Sequence, residues 1–141
     1  MIILAVDLGK ARTGLAVCDR GEILASPAGV IECYDREKLC LRICEAAAER
    51  KAERIVVGLP RNMDGSEGES AVSAREFAEK LREASGLPVD MCDERGTTIT
   101  AHQFLNDTDT RGKKRKAVVD SVAATIILEN YLQFRRNHPE N

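Results

Sequence analysis

The sequence predicts an α/β fold built on a central mixed five-stranded sheet, with antiparallel opening strands and flanking helices. Three observations predict it. The segments Met1–Val6 (MIILAV) and Arg54–Leu59 (RIVVGL) are nearly continuous apolar runs, as in strands buried on both faces. The first strand-like segments are joined by short stretches of turn residues, which suits an antiparallel meander. The later strands alternate with segments of helical periodicity, which parallel additions to a sheet require.

The first strand, Met1–Val6, stops at Asp7. Gly9–Gly14 (GKARTG) reads as a turn and Leu15–Cys18 as the second strand, and Asp19-Arg20-Gly21 turns the chain into a third over Glu22–Ser26. From Asp35 to Arg50, Leu39, Ile43, Ala46 and Ala47 recur at helical spacing, so this segment and the strand Arg54–Leu59 form a crossover. Pro60–Gly68 is polar and turn-rich. Ser66 and Glu69 have the spacing of a capping box for the next helix, whose inner face carries Ala74, Phe77, Ala78 and Leu81. After Gly86 comes a short strand, Leu87–Cys92, closed by Asp93-Glu94-Arg95. Thr97 or Thr98 caps a brief helix through Leu105, Asn106–Gly112 is a polar loop, and Lys113–Phe134 forms a last long helix. Residues 1–134 are expected to form one domain and 135–141 a frayed C-terminal tail.

Hydrophobic residues at 43% and charged residues at 31% exclude a disordered or fibrous chain. No apolar run approaches the roughly 18 residues of a membrane span, and no leader pattern precedes the first strand, so a cytoplasmic protein without membrane contact is expected. The five cysteines, Cys18, Cys33, Cys40, Cys44 and Cys92, are odd in number and contain no C-x-x-C pair. That pattern fits reduced, buried thiols better than a disulfide framework or a common zinc motif. A net charge of −2 does not advertise a polyanion partner, so local clustering must carry any such reading.

Three carboxylates stand out. Asp7 follows an apolar strand and so lies at its carboxyl end, where open α/β sheets place their ligand sites; on position alone it is equally an ordinary strand terminator. Glu94 has the same setting after the fifth strand. Alternation lets only one of Asp93 and Glu94 share a face with Asp7, and Glu94 is preferred, with Asp93 left to cap the next turn or hold Arg95. Asp120 has Ala123, Ala124 and Ile127 at i+3, i+4 and i+7, which puts it on the inward face of the last helix. A carboxylate there is costly unless it binds a metal or pairs with a nearby Lys or Arg. If the three converge, they form an oxygen-rich site suited to Mg²⁺ or Mn²⁺, with Asp7 as the bridging ligand, and no histidine base is needed. His102 and His138 are expected at the surface.

Arg111-Gly-Lys-Lys-Arg-Lys116 crowds five cations around a helix start, where the dipole already places positive charge. Either an anion offsets that repulsion or the run is simply solvated. On the first reading Lys113, Lys114, Arg115 and Lys116 contact phosphate, joined by Lys10 and Arg12 of the first loop, Arg61 and Asn62 of the 60–68 loop, and Arg95. Aromatic residues are few, so backbone and phosphate contacts are expected to outweigh base stacking.

The segments VDLGKARTGLAV, GEILASP, GLPRNMDGSEG, DERGTT and KAVVDSVAATIILENYL, spread over almost the whole chain, resemble the YqgF family, described as pre-16S ribosomal RNA nucleases and Holliday-junction-resolvase-like proteins. The resemblance implies an RNase H-like fold and a three-carboxylate metal site at Asp7, Glu94 and Asp120. It also implies a hydrolase acting on phosphodiester bonds in processing the end of precursor 16S ribosomal RNA. The chain departs from the family at Gly96, where a large apolar residue is expected. Alternatives are a Holliday-junction-type DNA resolvase and a non-catalytic nucleic-acid-binding module, as monomer or homodimer. The D-x-G start also suits an actin-like ATPase, but that fold needs a second phosphate loop, which this chain lacks.

Overall fold

The apolar run that opens the chain becomes the middle strand of the sheet, β1 (Ile3–Asp7). Its residues divide strictly by alternation. Leu4 and Val6 enter one apolar cluster, Ile3 and Ala5 enter a second on the opposite face, and this is why the run shows no polar break. The computed structural model describes residues 1–62, 64–94 and 113–138, with side chains of the last segment from 121 onward. Around β1 are β2 (Arg12–Cys18), β3 (Ala25–Glu32), α1 (Arg36–Glu49), β4 (Arg54–Leu59), α2 (Glu69–Ser85), β5 (Val89–Asp93) and α3 (Lys113–Asn137).

The strand order is β3-β2-β1-β4-β5. β2 runs antiparallel to both β1 and β3, while β4 is parallel to β1 and β5 parallel to β4. This is the mixed sheet expected, and it has a geometric consequence: the carboxyl ends of β1, β3, β4 and β5 and the start of β2 share one edge. Helices α1 and α2 cover one face through Leu39, Ile43, Phe77 and Leu81. Helix α3 covers the other through Ala124, Leu128, Tyr131 and Leu132.

Several boundaries differ from the sequence reading. The third strand is Ala25–Glu32, not Glu22–Ser26, because the Asp19 carboxylate accepts from the backbone N–H groups of Ile23 (2.7 Å) and Leu24 (3.2 Å), and Glu22 takes a positive φ of 55°, extending the turn. Pro27, a bulge at Ala28 and the positive φ of the adjoining Gly29 (103°) are tolerated because β3 is an edge strand. The second strand begins at Arg12, inside the segment read as a turn. No capping box forms at Ser66 and Glu69: the N-cap of α2 is Gly68, without a side-chain cap, since the Ser66 hydroxyl donates to Asp64 (2.6 Å) and accepts from Asn62 (2.9 Å). Helix α1 starts where expected, with Asp35 accepting from the Glu37 and Lys38 N–H groups.

The last helix continues past Phe134 to Asn137. The expected tail therefore begins as ordered helix, because Arg135 pairs with Glu22 at 2.6 Å, and Glu22 also binds the N-terminal ammonium at 3.1 Å. All five cysteines are free, and Cys40, beside Cys44 on the buried face of α1, has its thiol pushed up to about 11 by burial. Among the described residues no helix is long and apolar enough to cross a membrane. The expected brief helix up to Leu105, the loop 106–112, Gly96 and His102 lie outside the described residues.

Candidate active site: a carboxylate pair at the strand ends

Asp7 is the last residue of β1 and pairs with Gly14 of β2, on the face shared with Ile3 and Ala5. Its turn depends on Gly9, where a Cβ would lie 2.0 Å from the Arg12 carbonyl oxygen. Glu94 follows β5, and its backbone N–H donates to the Leu59 carbonyl at 3.2 Å, which extends the β4–β5 ladder by one residue. Alternation puts Glu94 on the same face as Cys92, which packs against the α3-side cluster, and Asp93 on the other. Glu94 and Asp7 are thus brought to the same face.

Between them lies β4, and there the chain has Gly58. A Cβ at this position would sit 2.3 Å from Glu94 Oε2 and 2.7 Å from Cδ1 of Ile127 in α3. The bare strand lets Glu94 reach across β4 to Asp7, and the two carboxyl groups share a hydrogen bond. Burial, the Asp7 charge and that hydrogen bond push the Glu94 carboxyl up to about 8, with a smaller push from Asp93. The neighbouring Cys92 thiol is pushed up to about 11, mainly by burial, with smaller pushes from the Asp93 and Glu94 charges. Sequence reasoning missed Gly58, although a glycine ending an otherwise apolar strand is itself a sign of close approach.

Asp120 belongs to α3, two helical turns before Ile127, the residue that lies against Gly58. Its side chain falls outside the described residues, as do those of Lys113, Lys114, Arg115 and Lys116 and all of Arg95. Among the described residues no three acidic, histidine or cysteine side chains form a metal-holding group, so the described part of the site is the Asp7–Glu94 pair.

The described members of the expected phosphate-binding set, Lys10, Arg12, Arg61 and Asn62, are dispersed along the same edge. Lys10 is exposed and lines a cleft of about 340 Å³ on the α1–α2 side, with Arg36, Pro60, Ser70 and Ser73. Arg12 borders a second depression of about 220 Å³ with Glu32 and Tyr34. Arg61 pairs with Glu67 at 3.5 Å, and Asn62 holds its own loop by donating to Ser66. His138 is exposed and stacks on Phe134, away from the carboxylates.

Comparison with known proteins bears on the family and the fold. The model of the family described as RuvX, Holliday junction resolvase, matches residues 1–134. A protein of Chloroflexus aurantiacus named "Putative pre-16S rRNA nuclease" is 41% identical over 138 residues, covering 98% of this chain and 90% of the relative. Proteins of the same name from Streptomyces avermitilis (41% over 134 residues, 94% and 86% covered) and an Anaeromyxobacter species (42% over 135 residues, 96% and 98%) are also similar. Among solved structures, RuvC of Thermus thermophilus in complex with a Holliday junction substrate superposes with a TM-score of 0.62 at 14% identity, covering 98% of this chain and 97% of that one. The fowlpox virus Holliday junction resolvase gives 0.56 at 13% identity, with 95% and 99% covered. These likenesses establish the RNase H-like fold. With a family model spanning nearly the whole sequence and relatives near 40% identity, the chain belongs to the RuvX family.

Proposed function

We propose that the protein is a divalent-metal-dependent nuclease that hydrolyses phosphodiester bonds in maturing an end of precursor 16S ribosomal RNA, with Asp7, Glu94 and Asp120 as its metal ligands. One observation carries the site: Glu94 reaches over the bare strand at Gly58 to share a hydrogen bond with Asp7. Two half-buried carboxyl groups held together repel each other once ionised, and a hard cation relieves that repulsion by taking the place of the shared proton. The donor set, all carboxylate oxygen, fits Mg²⁺ or Mn²⁺ rather than zinc. When bound, such an ion supplies the positive charge that activates water for attack and stabilises the departing oxygen.

The chain's own residues then have separable tasks. Asp7, on the central strand, would hold the metal together with Glu94 and Asp120. Lys10, Arg12, Arg61, Arg95 and the run Lys113–Lys116 neutralise the substrate backbone, and Asn62 shapes the loop beside them. The names of the relatives support ribosomal RNA as substrate, and a cytoplasmic location follows from that substrate.

The test is an assay of a precursor ribosomal RNA fragment beside a four-way DNA junction, with Mg²⁺ or Mn²⁺ and product ends mapped. Wild type should cleave the RNA at a defined end, and Asp7→Asn should lower the rate by at least about 100-fold. Equal trace activity in both proteins would overturn catalysis at this site. Cleavage of the junction alone would move the substrate to branched DNA, the substrate that the family's description names.

A further inference from the structure

Tyr34 is the most exposed large hydrophobic side chain among the described residues, at 84%. Of the other described aromatics, Phe77 and Tyr131 are buried and Phe134 stacks on His138. Tyr34 makes no hydrogen bond and no ring contact with any described residue.

Its backbone is nevertheless held on both sides. The Cys33 N–H donates to the Ala11 carbonyl at 2.8 Å, and Asp35 caps α1. Arg36 ties the same helix start to the Gly9 carbonyl at 3.2 Å. The ring is therefore presented to solvent from an anchored segment. It borders the 220 Å³ depression with Ala11, Arg12 and Glu32, a guanidinium and a carboxylate flanking an aromatic face.

The position is on the functional edge. Tyr34 follows the carboxyl end of β3, two strands from β1, which is about 10 Å to the side of Asp7. Along the strands Tyr34 also lies four residues, about 13 Å, beyond Val30, which is level with Asp7 through Gly14, so at about 3.4 Å per stacked nucleotide the ring falls about five nucleotides from a phosphate bound at Asp7. Every base offers a π-face, and an aromatic platform engages one only when the base is not already paired and stacked in a duplex.

We propose that Tyr34 is a specificity-determining residue that stacks on an unpaired base of the nucleic-acid substrate a few nucleotides from the cleavage site, with Arg12 contacting the adjoining phosphate and Glu32 accepting from donor groups on the base edge. The proposal rests on the nuclease reading for its substrate, but its test does not depend on cleavage. Binding of fluorescent RNAs to the full chain, one with a single-stranded overhang and one blunt duplex, is measured by anisotropy without added divalent metal. Tyr34→Ala should weaken binding of the overhang RNA by about tenfold and leave the blunt duplex unchanged, and Tyr34→Trp should retain overhang binding. The chain has no tryptophan, so the fluorescence of Tyr34→Trp reports stacking directly and should be quenched by the overhang RNA only. Equal affinity of wild type and Tyr34→Ala for both RNAs, or a Tyr34→Trp signal untouched by overhang RNA, overturns the proposal. If Asp7→Asn still cleaves at the wild-type rate while Tyr34→Ala loses overhang binding, the catalytic reading fails and the stacking site stands.

Discussion

Glu94 is a carboxyl group whose charge is opposed twice, by burial and by the Asp7 carboxylate at the end of β1, on the far side of β4. A group whose pKa rises on folding holds its proton more tightly in the native than in the unfolded chain. Its contribution to stability is therefore complete below its ordinary value of 4.5 and is lost as pH climbs through about 8. Metal-free protein should accordingly lose thermal stability between pH 5 and about 8. Glu94→Gln, which keeps the hydrogen-bonding shape without the charge, should flatten that slope and raise Tm at pH 8 by a few degrees. Calorimetry across the pH range checks this, and a slope identical in the two proteins would remove the carboxylate repulsion from the account. The sequence could place Asp7 and Glu94 at strand ends, but not their mutual distance, which depends on β4 lying between their two strands.

Strand β4 shows how an element serves the site through what it omits. Its apolar residues made Arg54–Leu59 legible, with the same bounds in sequence and structure, because a central parallel strand buries both faces. Gly58 interrupts that run where Glu94 and Ile127 meet. Gly58→Ala should cost about 1–3 kcal/mol through overpacking and displace Glu94 from Asp7. Cleavage measured well below the variant's Tm should then fall along with stability. Wild-type cleavage by this variant would show that the Glu94 position tolerates adjustment. Strand β3 is the opposite case. It is an edge strand with Pro27, the Ala28 bulge and mostly half-exposed side chains, so its periodicity was too weak to reveal its length.

At the scale of the whole molecule, the two ends of the chain are joined. Arg135 near the end of α3 pairs with Glu22 of the β2–β3 turn, and Glu22 also binds the Met1 ammonium. The Arg135 hydrogen bond, aided by the Met1 ammonium, holds the Glu22 carboxyl below its ordinary value despite partial burial. The stabilisation is thus present above about pH 4.5 and is lost as the carboxylate takes up its proton. Arg135→Ala should lower stability by about 1 kcal/mol at neutral pH, with the difference from wild type shrinking in acid, as read by denaturant unfolding at both pH values. A deficit equal at both would assign the loss to packing of the arginine stem. No local pattern could announce this pair, since its members lie at distant points of the chain and charged residues near a terminus ordinarily read as a solvated tail.

What the sequence determined by itself was the set of elements with strong periodicity, namely β1, β4, α1, the inner face of α2 and the body of α3, and through them the α/β class. Burial imposes a repeat of two or of 3.6 residues on the chain, and that repeat is written locally. It also placed Asp7 and Glu94 at strand ends, where the apolar run must stop. Only the tertiary structure decided that the two carboxyl groups meet over Gly58, that β3 begins at Ala25, that α3 continues to Asn137, and that Tyr34 stands on the same edge as the carboxylates. Each of these depends on the order in which strands lie side by side. That order is set by packing between segments remote in sequence, and no single segment carries its record.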